Sequence, residues 1–187
     1  MAAQGVASHA GLNPEAGASA VLELARQTER LHSLNDPKRG TSFNVGVMRG
    51  GTRSNVVAAQ AELEVDVRFS AMAEARRVAE LMSTLRPFDE RVQLTITGGI
   101  NRAPLERTAG VVKLFQHARE IATRLGFDLE ERSVGGASDG NFAAALNVPV
   151  LDGLGVDGAG AHAAHEHIMV SDIVPRAALL AGLVATL

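Results

Sequence analysis

Residues 56–69 read VVAAQAELEVDVRF, and apolar and polar side chains alternate through most of this stretch. A period of two puts every second side chain on the same side of a β-strand, so one face is buried and the other meets solvent. The pattern therefore predicts a strand of an antiparallel sheet that is covered on one side only. The apolar face comprises Val57, Ala59, Ala61, Leu63, Val65, Val67 and Phe69, and the polar face Gln60, Glu62, Glu64, Asp66 and Arg68.

The segments around this strand complete a known arrangement. A weak strand signal near Val6 precedes a helix that is predicted to begin at Asn13-Pro14, with Asn as its cap and Pro in the first turn. A second strand is predicted at 41–48, a second helix ends before Pro87, and a last strand covers 92–96. The order β-α-β-β-α-β predicts a ferredoxin-like sandwich.

The rest of the sequence has a different pattern, in which helices alternate with short apolar segments. The predicted elements are helices at 107–125, 139–146 and 172–187 and strands at 128–134 and 148–151. This alternation is typical of an α/β layer, but two strands are too few to cover such apolar helices. The fold class is therefore α+β with α/β, with a ferredoxin-like domain over 1–102 followed by a partial α/β domain over 103–187.

Composition and charge exclude several classes of function. The chain has 18 Lys and Arg against 21 Asp and Glu, which argues against nucleic acid because phosphate binding needs clustered basic residues. An RNA-binding ferredoxin-like domain is also disfavoured, since there are six Phe and no Tyr or Trp to stack on bases. No membrane association is expected, because no apolar run approaches the ~20 residues of a membrane span. No signal peptide follows Met1, so a cytoplasmic location is expected.

Two groups of histidines are candidates for chemistry. His9 lies among small residues after the first predicted strand, where position alone favours an ordinary loop residue over one that faces a ligand. A denser cluster, His162, His165, Glu166 and His167, follows a glycine-rich stretch. Imidazole and carboxylate bind first-row metals well. The cluster is therefore either a metal site or a group of surface histidines, since there is no cysteine to supply a thiolate.

Two further polar residues flank the central strand. Arg68 ends its polar face, where it is either part of a cross-strand ion pair or a fork that binds a substrate carboxylate. Asn55 follows the Gly50-Gly51 turn and is either a simple turn residue or a substrate-binding side chain. The residues alone leave both alternatives open.

Several short motifs occur in a fixed order, and together they resemble the M20 family of zinc metallopeptidases, within it the glutamate carboxypeptidase (carboxypeptidase G2-like) branch. The motifs are Ser8-His9-Ala10-Gly11 with Pro14-Glu15 and Gly17, Gly50-Gly51-Thr52 through Asn55-Val56-Val57, Asp66-Val67-Arg68-Phe69, Gly135-Gly136-Ala137-Ser138-Asp139, and His162-x-x-x-Glu166. The resemblance implies an α/β catalytic domain with two zinc ions and an inserted ferredoxin-like lid that dimerises. Residues 1–102 correspond to the lid and 103–187 to the C-terminal part of the catalytic domain.

The resemblance also implies roles for individual side chains. His9 would polarise the scissile carbonyl and stabilise the oxyanion, typically in the partner subunit's site, and Asn55 would assist it. Arg68 would hold the substrate's α-carboxylate. His162 would be a zinc ligand, with Glu166 in the motif around it.

The activity implied for the whole enzyme is hydrolysis of an amide bond next to a free carboxylate, in peptides or N-acyl amino acids, by a homodimer joined through the lid. The family's N-terminal catalytic portion carries the other zinc ligands and the general base, and this sequence is expected to lack it. The chain alone is therefore expected to bind at most one zinc ion weakly and to be inactive. The alternative is a non-catalytic dimerisation module derived from the family.

Overall fold

The computed structural model describes residues 1–187, which form two compact units, Met1–Asn101 and Arg102–Leu187. Each unit has its own hydrophobic core. None of the helices has the length and apolarity that crossing a membrane requires.

The first unit is a four-stranded sheet with two helices. Its elements are β1 (Ala2–Gln4), α1 (Ala20–His32), β2 (Ser42–Gly50), β3 (Gln60–Arg68), α2 (Met72–Thr84) and β4 (Gln93–Thr95). The strands lie in the order β2-β3-β1-β4, and every adjacent pair is antiparallel. This is the ferredoxin-like arrangement that the sequence predicts.

Helix α1 begins later than predicted. Asn13-Pro14 starts only one 3-10 turn, because the chain then returns to extended backbone and Ala18 pairs with Val6 in a β-bridge. Ser19 caps α1 instead, and its side-chain oxygen accepts a hydrogen bond from a backbone N–H of the first turn at 3.2 Å. The helix start predicted from Asn-Pro was therefore wrong, since tertiary pairing outweighs the local capping signal.

Strand β3 has the predicted faces, although it begins at Gln60 and not at 56. Leu63 is 2% exposed and lies in one core cluster with Leu24 of α1 and Ala3 of β1. Glu62 and Glu64 are exposed on the opposite side of the strand. The alternation therefore places the apolar side of β3 against the core, as predicted.

This register gives a prediction about stability. Replacing Leu63 with Ala is expected to cost about 2–5 kcal/mol, because it leaves a cavity in a packed core. Glu64→Ala on the exposed face is the matched control and is expected to change the free energy of unfolding by less than about 0.5 kcal/mol. Denaturant unfolding of both variants measures the difference, and equal losses would contradict the register.

A buried carboxylate ties α1 to the loop before β4. Glu23 is buried and accepts backbone N–H bonds from Phe88 at 3.0 and 3.1 Å and from Asp89 at 3.3 Å. Gln27 donates to Glu23 at 2.8 Å and to the carbonyl of Arg86 at 2.9 Å. These donors replace the water that the charge would lose on burial.

The same loop carries an acid-sensitive ion pair. The Arg91 side chain donates to the Asp89 carboxylate at 2.8 and 3.0 Å and lowers the pKa of Asp89 from 3.8 to about 2. A carboxyl group whose folded-state pKa is lowered stabilises the fold above its unfolded pKa, and this stabilisation is lost as the pH falls.

We therefore expect the stability advantage of the unmodified chain over Asp89→Asn to vanish as the pH falls from 3.8 to about 2. Urea unfolding at a series of pH values measures it, with Glu90→Gln as the neighbouring control. A constant difference between the unmodified chain and Asp89→Asn across this range would contradict the assignment.

The second unit consists mainly of helices. Its elements are α3 (Ala109–Arg124), α4 (Gly140–Ala145), the hairpin strands β5 (Gly158–Ala159) and β6 (His167–Ile168), and α5 (Ile173–Thr186). Helices α3 and α5 pack together. Their shared core comprises Ala118, Ile121, Ala122, Leu129, Leu179 and Leu183.

The strands predicted at 128–134 and 148–151 do not form. Leu129 is buried in the core between the helices and Leu151 packs against it. Both apolar runs therefore mark packing contacts. A strand needs a neighbour for its backbone hydrogen bonds, and β5–β6 is the one strand pair of this unit.

Candidate functional site

Two predicted site residues, His9 and Asn55, lie side by side in the first unit. His9 pairs with Val56 in an isolated antiparallel bridge. The amide of Ala10 donates to the carbonyl oxygen of Asn55 at 3.0 Å. Both side chains are exposed, so together they form a polar corner that we call the His9–Asn55 corner.

Hydrogen bonds determine which ring nitrogen of His9 carries the proton. Nδ1 accepts from the amides of Gly11 at 3.1 Å and Leu12 at 3.2 Å. A nitrogen that accepts carries no proton, so the neutral ring is protonated at Nε2. The exposed imidazole therefore presents an N–H donor, which suits a carbonyl oxygen that gains negative charge.

A close backbone approach supports this corner. A Cβ at Gly17 would overlap the Ser8 hydroxyl and the side chain of Val57. The amide of Val57 also donates to the carbonyl of Ser8 at 2.9 Å. The glycine thus lets the 3-10 turn lie against the two segments that carry His9 and Asn55.

Arg68 is at the other end of β3. Its Nε donates to the Asp66 carboxylate at 2.7 Å, and both side chains are about half exposed. The ion pair considered for Arg68 therefore forms along the strand with Asp66, not across strands. The cross-strand pair of this face joins Arg49 and Glu62 at 3.6 Å instead. Solvent screens a pair as exposed as Asp66–Arg68, so it contributes little to stability.

The length of β3 separates the two parts of the predicted site. The strand has nine residues, Gln60–Arg68, and eight steps of about 3.3 Å place its ends roughly 26 Å apart. The His9–Asn55 corner lies beyond the Gln60 end. One small substrate cannot touch this corner and Arg68 of the same subunit.

The histidine cluster lies in the loop between β5 and β6 and does not converge on a point. The amide of His162 donates to the Glu166 carboxylate at 3.3 Å, and Nδ1 of His167 lies 3.0 Å from the carbonyl oxygen of His165. No group of three or more His, Cys, Asp or Glu side chains in the chain could hold a metal ion. Catalytic zinc takes about three protein ligands, so these residues do not fit a zinc ion by themselves.

An arginine that the sequence analysis missed anchors this hairpin to α5. The Arg176 side chain is 16% exposed, lies over the Phe127 ring at 5.7 Å and is 3.6 Å from the Asp157 carboxylate. The amide of Asp157 donates to the Asp172 carboxylate at 3.3 Å, and its carbonyl oxygen accepts from Met169 at 2.7 Å. A single charge in the apolar sequence of α5 is the signal that could have identified Arg176.

Comparison with known proteins agrees with this fold. Residues 1–86 match the family model for the M20 peptidase dimerisation domain. Carboxypeptidase G2 from Pseudomonas sp. (strain RS-16) is 31% identical over 186 residues, which cover 95% of this chain and 44% of that protein. The p-aminobenzoyl-glutamate hydrolase of Escherichia coli (strain K12) has a subunit that is 46% identical over 65 residues, 34% of this chain and 15% of that protein.

A solved structure shows the same fold over almost the whole chain. The crystal structure of a tripeptidase from Staphylococcus aureus superposes with a TM-score of 0.72 and 24% identity, covering 97% of this chain and 48% of that one. The ferredoxin-like sheet and these matches define the first unit as a dimerisation domain. Through this domain the chain belongs to the M20 peptidase family, whose members matched here are hydrolases. The chain spans less than half the length of these relatives.

Proposed function

We propose that this chain is part of an M20-type hydrolase that cleaves an amide bond next to a free carboxylate, in a peptide or an N-acyl amino acid. The observation that carries the proposal is the exposed Nε2–H of His9, fixed by two backbone hydrogen bonds to Nδ1. The names of the carboxypeptidase and the aminobenzoyl-glutamate hydrolase among the relatives support this substrate class.

In this proposal the His9–Asn55 corner acts on the scissile carbonyl. The carbonyl oxygen gains negative charge as the carbonyl carbon becomes tetrahedral, so a hydrogen bond from His9 strengthens on the way to the transition state. A contact that strengthens in this way raises turnover more than it improves substrate binding. Asn55 assists at the same corner.

Arg68 binds the substrate's carboxylate, for which the planar guanidinium has the right geometry. Because β3 keeps Arg68 roughly 26 Å from the Gln60 end of the strand, the two groups can meet on one substrate only if they come from different subunits. His9 and Asn55 of one subunit would then complete the site that contains Arg68 of the other.

The proposed dimer contact is the free edge of β2. This nine-residue strand is an outer strand of the sheet, so one side of its backbone is available to pair with a second copy. Met48 on this strand and Val21 on α1 are both partly exposed apolar residues, and Val21 packs close to Gly50 at the end of β2. An isologous contact would bury this apolar flank twice.

A charge at this edge tests the dimer contact. Met48→Lys is expected to shift the chain from dimer to monomer in sedimentation experiments, because the charge would be buried between two copies. Phe88→Lys is the control, since Phe88 is also a half-exposed apolar residue and lies before β4 at the other edge. A dimer that persists in Met48→Lys but dissociates in Phe88→Lys would place the contact elsewhere.

The zinc ions of the proposed enzyme need ligands from outside residues 1–187, with His162 as one ligand from this chain. The surface of α5 supports the proposal that residues 103–187 are part of a larger domain. Val174 and Val184 on this helix are 75% and 82% exposed, although a helix that is apolar all round is normally buried. The expected cytoplasmic location stays a prediction.

A non-catalytic dimerisation module is the second candidate, and the lack of a three-ligand metal group in this chain favours it. The two candidates differ in a direct assay. The whole protein should hydrolyse N-acyl amino acids and lose this activity on chelation, whereas the 187-residue chain should not hydrolyse them with any added metal. A whole protein without such activity would favour the module.

A further inference from the structure

The loop between β5 and β6 contains an unusual backbone conformation. His162 has φ +65°, and Asn147 with φ +62° is the one other non-glycine residue of the chain at positive φ. The left-handed region is rarely occupied by residues that carry a Cβ. Such a conformation persists only when the surrounding contacts determine it.

Four contacts hold this loop. Glu166 accepts the amide of His162 at 3.3 Å through Oε2, and its own amide donates to the carbonyl of Ala163 at 3.0 Å. Ala163 in turn donates to the carbonyl of Gly160 at 2.7 Å. The His165 ring lies against Gly160, where an added Cβ would be 2.7 Å from Cδ2 of the ring.

These contacts distinguish the three histidines of the cluster. The ring of His165 packs on Gly160, and Nδ1 of His167 lies within hydrogen-bond distance of the backbone of the same loop. His162 is exposed and takes part in the loop through its backbone. Its imidazole is therefore the one that the loop leaves available to a ligand.

We propose that Glu166 is a positioning residue for His162. Its carboxylate oxygen holds the His162 amide and with it the left-handed backbone from which the imidazole projects. The purpose assigned to this turn rests on the proposed function, in which His162 is a metal ligand. The backbone effect itself depends only on the reach of the Glu166 side chain and on an oxygen that accepts a hydrogen bond.

Substitutions at 166 separate reach from charge. Glu166→Gln keeps the length and an accepting oxygen and should retain the left-handed conformation. Glu166→Asp keeps the charge but is one methylene shorter, and should lose it. The readout is the strong intraresidue NOE between the amide proton and Hα of His162, measured by NMR on the 187-residue chain without metal or substrate.

Asn147 is the internal control, because its left-handed NOE should stay constant in both variants. Glu130→Asp, at an exposed carboxylate of the same unit, is the matched control variant. Loss of the NOE in Glu166→Asp and retention in Glu166→Gln would support the proposal. Retention in Glu166→Asp, or loss in Glu166→Gln, would overturn it. Because the measurement needs no turnover, its failure is distinguishable from failure of the proposed hydrolase function.

Discussion

Replacing His9 with alanine in the whole protein is expected to lower turnover about 10²–10³-fold, the usual effect of removing one oxyanion donor. The Michaelis constant should change much less, since the hydrogen bond from Nε2 becomes strong only as charge develops on the carbonyl oxygen. Steady-state kinetics with an N-acyl amino acid measures both parameters.

Two further variants at histidine positions sharpen this test. His9→Gln keeps an N–H donor and should recover part of the turnover that His9→Ala loses. His32→Ala removes another exposed histidine of the same unit, on α1, and should leave turnover unchanged. Full turnover in His9→Ala would show that this imidazole does not act on the reacting carbonyl.

Arg68→Ala is expected to lower kcat/KM about 10–100-fold for substrates with a free carboxylate, which corresponds to the roughly 1.5–3 kcal/mol of a hydrogen bond to a charged group. The loss should be much smaller for a matched substrate in which that carboxylate is a carboxamide. Comparison of the two substrates in one variant measures the specific contribution of the guanidinium.

Arg49→Ala is the control for Arg68. Arg49 is an exposed arginine on β2 that pairs with Glu62 on the same polar side of the sheet, so its removal changes the charge without touching the proposed carboxylate site. Arg68→Lys should recover little, because an ammonium group cannot form two parallel hydrogen bonds. Equal losses on the carboxylate and carboxamide substrates would exclude a role in carboxylate recognition.

The fold of the first unit could be predicted because its signals are local. The alternation around Leu63 reports which side of β3 is buried, and the structure confirms it. The start of α1 could not be predicted from Asn13-Pro14, because the pairing of Val6 with Ala18 is a contact between distant residues. The segment at 128–134 misled for a related reason, since apolar side chains such as Leu129 fill a core equally well without a strand.

The candidate site was predictable in part. The adjacency of His9 and Asn55 depends on backbone bonds between distant segments, and here the order of motifs pointed to both residues before the structure did. The density of histidines at 162–167 suggested a shared metal, but the loop uses His165 and His167 in local contacts. Residue spacing gives no information on which way a turn directs its side chains.

The division of the site between two subunits is the central claim, and mixed dimers test it most directly. His9→Ala and Arg68→Ala chains of the whole protein would each form inactive dimers. A dimer with one chain of each kind contains one site with an intact His9 and an intact Arg68, because the two residues of a site come from different chains. Statistical mixing of equal amounts should then restore about a quarter of the unmodified activity. Activity no higher than the average of the two parent variants would contradict the account.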